Sequence, residues 1–163
     1  ILVGKNLSEL SSSVLAEIRL HDIGFVFQAY NLIPVLTAVE NVEYVLRLRG
    51  MAKSEYRERA MATLSEVGLS DMAHRKPAEL SGGQQQRVAV ARAIVGEPSI
   101  VLADEPTANL DSKTGESLLE LMKKMNLEKN VTFIFSTHDK MVMDFAGRVI
   151  TLRDGYVEND DTK

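Results

Sequence analysis

Short apolar runs alternate with helix-length amphipathic segments through the second half of this chain, and that alternation restricts its fold more than any other feature. Ser99 to Ala103, Val131 to Phe135 and Arg148 to Leu152 each read as a strand. After the first comes a helix capped by Asp111 or Ser112, with Leu118, Leu121, Met122 and Met125 turned inward. After the second, a short helix starts at Asp139. Strand and helix in turn predict a parallel sheet flanked by helices. Arg153-Asp154-Gly155 then makes a hairpin turn into Tyr156-Val157-Glu158, and the tail from Asp160 to Lys163 reads as frayed.

The first half breaks the pattern. Ile23 to Phe27 is an apolar run that reads as a buried strand ending at Gln28, and Ser8 to Arg19 before it is a polar helix or loop. From Thr37, Val39, Val42, Leu46 and Arg49 recur at helical spacing until Gly50. A second helix from Ser54 carries Tyr56, Ala60, Leu64 and Val67 on one stripe and stops at Gly68. A connector over 69–79 leads to a third helix, which opens on glycines, sets Val88, Ala91 and Val95 on one side, and ends at Gly96 and Pro98. The expected organisation is therefore a sheet core over 1–36 and 97–163, with a helical subdomain over 37–96 inserted in it.

Composition narrows the function. With 163 residues, 45% of them hydrophobic, the chain can bury one domain's core. No apolar stretch approaches the roughly 20 residues that cross a bilayer, so a soluble chain without a transmembrane segment is expected. The absence of cysteine excludes a disulfide framework and a thiolate metal site, and a net charge of −4 argues against a general nucleic-acid binder.

Two segments carry chemistry. The run Ile100-Val101-Leu102-Ala103 ends in Asp104-Glu105. Side chains at the C-terminal end of a parallel strand face the crevice where such sheets bind ligands, and adjacent residues point opposite ways, so two carboxylates there can do different work. Leu80-Ser81-Gly82-Gly83-Gln84 places a serine and two glycines at a helix mouth, where unpaired N–H groups favour an anion. A flexible linker would not run straight on into Gln85, Gln86, Arg87 and an Ala/Val-rich helix.

Leu80 to Gln84 resembles the signature loop of ATP-binding-cassette (ABC) ATPases, and Ile100 to Glu105 resembles their Walker B strand. Around Gln28, the phrases Phe25-Val26-Phe27 and Tyr30-Asn31-Leu32-Ile33-Pro34 resemble the Q-loop; Ala108-Asn109-Leu110-Asp111 resembles the D-loop; Ser136-Thr137-His138-Asp139 resembles the switch-histidine segment. The wording of these segments is most similar to the lipoprotein-release and macrolide-export branch. The resemblance implies an α/β, RecA-like P-loop NTPase core with the inserted helical subdomain.

By the same resemblance Asp104 and Gln28 serve Mg²⁺, Glu105 polarises the attacking water, and His138 holds the γ-phosphate of ATP. Ser81, Gly82, Gly83 and Gln84 face the γ-phosphate bound by an opposite subunit, and the D-loop with Asp111 crosses between subunits. Arg92 reads as an exposed helix arginine, and His21 and His74 match nothing. No G-x-x-x-x-G-K-[ST] loop occurs; Gly4-Lys5 lacks the first glycine and the Ser/Thr. The chain opens on Ile1 and reads as N-terminally truncated. In the family's sheet the P-loop strand lies between the strand Val131 to Phe135 and the last strand, so an unpaired edge is expected there.

The expected protein is the ATP-binding, ATP-hydrolysing subunit of a transporter, cytoplasmic and peripheral at the membrane. Its partners would be a transmembrane permease and a second ATP-binding subunit, identical or not, without nucleic acid. This stretch is expected to be inactive alone. Two alternatives stand beside that reading: a degenerate module lending its signature loop in trans to a complete ATPase, and a soluble ABC ATPase without a permease.

Overall fold

The computed structural model describes residues 1–2 and 4–163. Its first helix, α1 (Ser12–His21), leads into strand β1 (Ile23–Val26). Helices α2 (Ala38–Leu48), α3 (Lys53–Glu66) and α4 (Gly82–Ile94) follow. Strand β2 (Ile100–Asp104), helix α5 (Ser112–Lys129), strand β3 (Thr132–Ser136) and helix α6 (Lys140–Phe145) then alternate. A hairpin of β4 (Arg148–Arg153) and β5 (Tyr156–Thr162) ends the chain.

Strands β1, β2 and β3 form one sheet in that order, all parallel. The register pairs Val26 with Ala103 and Asp104 with Ser136, so the strands' C-terminal ends lie side by side. On its other side β3 has no neighbour among the described residues, because β4 pairs only with β5. The tail is not frayed: Asp160, Asp161 and Thr162 pair with Ile150, Val149 and Arg148, and Arg148 grips Asp160 at 2.7 Å. Its turn puts Asp154 at φ 50° and Gly155 at φ 81°, the left-handed pair that a two-residue hairpin needs.

Local chemistry explains where the helices start. Thr37 Oγ1 accepts from the Glu40 N–H while the Glu40 carboxylate accepts from the Thr37 N–H at 2.8 Å, a capping box. Those bonds, to the Thr37 backbone first and then its hydroxyl, hold the Glu40 carboxyl below its ordinary range. Asp111 caps α5 by accepting from the Thr114 N–H at 3.0 Å. Strand β2 extends one residue past the expected limit and takes in Asp104.

Two apolar clusters form. One gathers Val39, Val42 and Leu46 of α2 with Ala60 and Leu64 of α3, and with Val88, Ala91 and Val95. The other packs Val26, Val101 and Ala103 of the sheet against Leu118, Met122 and Met125 of α5, and takes Val90, Ala93 and Ile94. Helix α4 thus contributes one face to each cluster. It lies directly on β1 because Gly24 has no side chain: a Cβ there would stand 2.5 Å from the Ala93 carbonyl oxygen. Arg49, just past α2, donates to the carbonyls of Leu20 (2.9 Å), His21 (3.1 Å) and Gly96, collecting the C-terminal ends of α1 and α4 in one guanidinium.

Candidate functional site

The sheet register decides which side chains can meet. Asp104 closes β2 and is exposed; among the described residues its carboxylate enters no hydrogen bond or ion pair. Glu105 follows with φ at +43°, a left-handed backbone that costs a glutamate on the order of 1 kcal/mol. Its N–H donates to Ser136 O at 2.9 Å, which ties the turn to the end of β3.

The Glu105 carboxylate is tied to the same strand end. Oε1 lies 2.6 Å from His138 Nδ1 and accepts from the His138 N–H at 3.1 Å, while Oε2 accepts from the Thr137 hydroxyl at 3.0 Å. Burial pushes this carboxyl up, but the bonds from the His138 ring, the Thr137 hydroxyl and the His138 N–H outweigh it and hold it below its ordinary value. The pair is lopsided in exposure: the Glu105 side chain is 17% exposed and that of His138 is 90% exposed. A sheltered carboxylate and a solvent-facing ring therefore share one hydrogen bond. Thr107 Oγ1 donates to Asp139 at 3.0 Å just below, bracing the two loops.

Gln28 lies two residues beyond β1, at the same end of the sheet, with an exposed side chain. Its backbone carbonyl accepts from Asn109 Nδ2 at 2.9 Å, so the loop after β1 is fastened to the loop after β2. Tyr30 (φ 61°) and Asn31 (φ 48°) both stand in the left-handed region. The structure thus brings Gln28, Asp104, Glu105 and His138 to the ends of three adjacent strands.

Ser81 caps α4: Oγ accepts from the Gln84 N–H at 3.3 Å and Gln84 Oε1 accepts from the Ser81 N–H at 2.9 Å. The Ser81 O–H and the first helical N–H groups, at Gly82 and Gly83, remain available to an anion. The two glycines have a packing reason as well. A Cβ on Gly82 would stand 2.9 Å from the Tyr30 hydroxyl oxygen, and one on Gly83 would stand 2.5 Å from Thr114 Cγ2. The helix mouth therefore sits against the loops of Gln28 and Asn109. Asp111 points its carboxylate at Thr114, capping α5, and lies in the same loop cluster.

Arg92 is not the exposed helix arginine expected from the sequence. Its guanidinium reaches back to donate to Tyr30 O at 2.8 Å and to Asn31 O. Gln86 was also missed: fully buried, it donates through Nε2 to Pro106 O at 2.8 Å, beside Glu105, and its Oε1 has no hydrogen-bond partner among the described residues. One signal pointed to it, a polar residue on the helix face that Val90 and Ala93 continue. His21 and His74 lie in no part of the site; His21 pairs with Glu17 at 3.4 Å on the surface of α1.

The model of the ABC transporter family matches residues 3–108. The chain is 50% identical over 158 residues to MJ0796 of Methanocaldococcus jannaschii, described as an uncharacterized ABC transporter ATP-binding protein, covering 94% of this chain and 67% of that one. It is 45% identical over 157 residues to the macrolide export ATP-binding/permease protein MacB of Burkholderia pseudomallei, covering 96% of this chain but 24% of MacB. A solved dimeric, post-hydrolysis state of the MJ0796 cassette bound to ADP and Pi superposes with a TM-score of 0.87 at 47% identity, covering 99% of this chain and 71% of that one.

The chain belongs to the ABC transporter family. It is an α/β ATP-binding cassette sequence of the MacB and MJ0796 type, and it spans about two thirds of the length of MJ0796. No helix among the described residues is long and apolar enough to cross a membrane.

Proposed function

We propose that this chain is the part of a transporter's ATP-hydrolysing subunit that supplies the water-handling carboxylate, the metal side of the site and the signature loop. One observation carries the reading: Glu105 and His138 share a 2.6 Å contact at the strand ends where Asp104 and Gln28 also lie. Glu105, ionised and sheltered, is the carboxylate that would orient a water for in-line attack on a γ-phosphorus. His138 engages it through Nδ1, so its Nε2 faces solvent. With Nδ1–H given to a carboxylate, a neutral ring offers Nε2 only as an acceptor. Holding a phosphate oxygen through Nε2 therefore requires the doubly protonated ring, or its release from Glu105.

Asp104 and the Gln28 amide offer oxygen ligands that no other group among the described residues engages. Among the described residues no cluster of three or more His, Cys, Asp or Glu side chains could hold a metal alone. That donor set fits Mg²⁺, which takes one or two protein oxygens and completes its shell with phosphates and water. Mg²⁺ there would neutralise the charge between the β- and γ-phosphates. On the proposed division (1–36, 37–96 and 97–163) the helical segment presents Ser81, Gly82, Gly83 and Gln84 to a nucleotide on a second subunit, with Asp111 nearby. The MJ0796 cassette, solved as a dimer bound to ADP and Pi, supports pairing with a second subunit.

The 163 residues contain no phosphate-cradling loop, and we expect this stretch by itself not to turn over ATP. The proposed permease partner is supported by the MacB relative, whose name joins ATP-binding and permease functions. Association with a permease would place the subunit at the cytoplasmic face of a membrane. The test is oligomeric state: the complete protein with Glu105→Gln, held with ATP and Mg²⁺, is expected to elute as a dimer and to revert to monomer with Ser81→Arg added. A monomer in both cases would overturn the reading.

A further inference from the structure

We propose that Arg92 is a positioning residue that clamps the turn carrying Gln28, and so couples the signature helix to the site of its own subunit. Gln28 is followed by Tyr30 and Asn31, two consecutive non-glycine residues in the left-handed region. Such a turn persists only when its surroundings over-determine it. Three groups hold it here. Arg92 donates from its two terminal nitrogens, Nη2 to Tyr30 O and Nη1 to Asn31 O; Asn109 Nδ2 donates to Gln28 O; and the buried Asn41 side chain accepts from the Ile33 N–H at 2.7 Å and donates to Ile33 O at 3.2 Å. The Arg92 clamp therefore acts at the centre of the segment and Asn41 at its far end.

The chemistry of Arg92 is that of a dedicated clamp. Its guanidinium is half-buried and has no ion-pair partner among the described residues, so burial lowers its pKa with no carboxylate to offset it. Among the described residues this partly desolvated cation is held by the two carbonyls, and its planar fork matches two acceptors one residue apart. Arg92 sits ten residues into the helix whose first turn is Gly82 to Gln84. Tyr30 closes the circuit, with its hydroxyl against Gly82. A displacement of α4 thus acts on the Gln28 turn at both ends of the helix.

The functional part of this inference rests on the metal role proposed for Gln28, and the test separates the two. In the complete protein, amide hydrogen exchange is followed at Tyr30 and Asn31, whose N–H groups donate to Phe27 O and Ala29 O. With Arg92→Met, exchange there is expected to speed up about tenfold or more, while Ile33 and the β2 amides keep their wild-type rates. Arg92→Lys, with one ammonium for the two carbonyls, should recover part of the protection. Unchanged exchange at Tyr30 and Asn31, or equal acceleration at Ile33 and β2, would overturn the clamp. The Mg²⁺ concentration for half-maximal ATP turnover is then compared. Arg92→Met should raise it about as much as Gln28→Ala, and the double variant no further. Additive effects would overturn the coupling; a Gln28→Ala variant with wild-type Mg²⁺ dependence would instead remove the metal role of Gln28 and leave the exchange result to decide on Arg92.

Discussion

The ring and the backbone N–H of His138 both reach one oxygen of Glu105, at 2.6 and 3.1 Å, and the Thr137 hydroxyl takes the other. These bonds favour the ionised carboxylate, so the carboxyl titrates in the folded protein below its ordinary value of 4.5. A depressed carboxyl contributes stability above its unfolded pKa and loses it as pH falls through the folded one. Urea unfolding of wild type and Glu105→Gln from pH 7 down to 3 should show a gap in stability that narrows below about pH 4.5. A gap constant with pH would mean that the carboxylate's bonds do not stabilise the fold.

Gly83 faces Thr114 so closely that an added methyl has no room. Gly83→Ala is expected to cost about 1–3 kcal/mol by overpacking. Thr114→Ser removes the methyl in the way and keeps the hydroxyl that donates to Asp111, so the double variant should regain most of the loss. Denaturant midpoints of the four proteins decide it. Equal loss with and without Thr114→Ser would point to the backbone of the loop instead.

Arg49 joins three chain segments through the carbonyls of Leu20, His21 and Gly96. Arg49→Met keeps much of the stem but leaves those helix-end oxygens without their charged donor, an expected loss of about 2–4 kcal/mol. Exchange should rise first at the ends of α1 and α4. Leu46→Ala, in the core of the helical segment, should cost about 2–5 kcal/mol by the separate route of an unfilled cavity.

Periodic segments were readable because their signal is local. The stripe Val39, Val42, Leu46 appears buried on α2, and Asp111 and Asp139 cap the helices that were expected to follow them. A parallel sheet was expected from the alternation of strand and helix, whereas its order β1, β2, β3 and the contact between Glu105 and His138 depend on pairings between segments distant in the chain. Arg92 escaped because its partners lie 61 and 62 residues upstream and are backbone carbonyls, which leave no trace in side-chain pattern. The tail from Asp160 to Lys163 read as a frayed terminus, yet Asp160 to Thr162 pair along a two-stranded ladder whose hydrogen bonds come from the backbone and whose Arg148–Asp160 pair is set by register. The close packing of Gly82 and Gly83 was hidden for the same reason: glycines at a helix mouth suggest an anion, while their steric neighbours come from elsewhere in the chain.

Glu105 carries the proposed hydrolytic chemistry. Steady-state ATP turnover by the complete protein and by Glu105→Gln, alongside nucleotide affinity for both, tests it most directly. The substitution keeps the size of the side chain and removes the charge that orients water, so turnover should fall by about a hundredfold or more while ATP still binds. Turnover near the wild-type rate in Glu105→Gln would contradict the assignment of this strand end as the hydrolytic site.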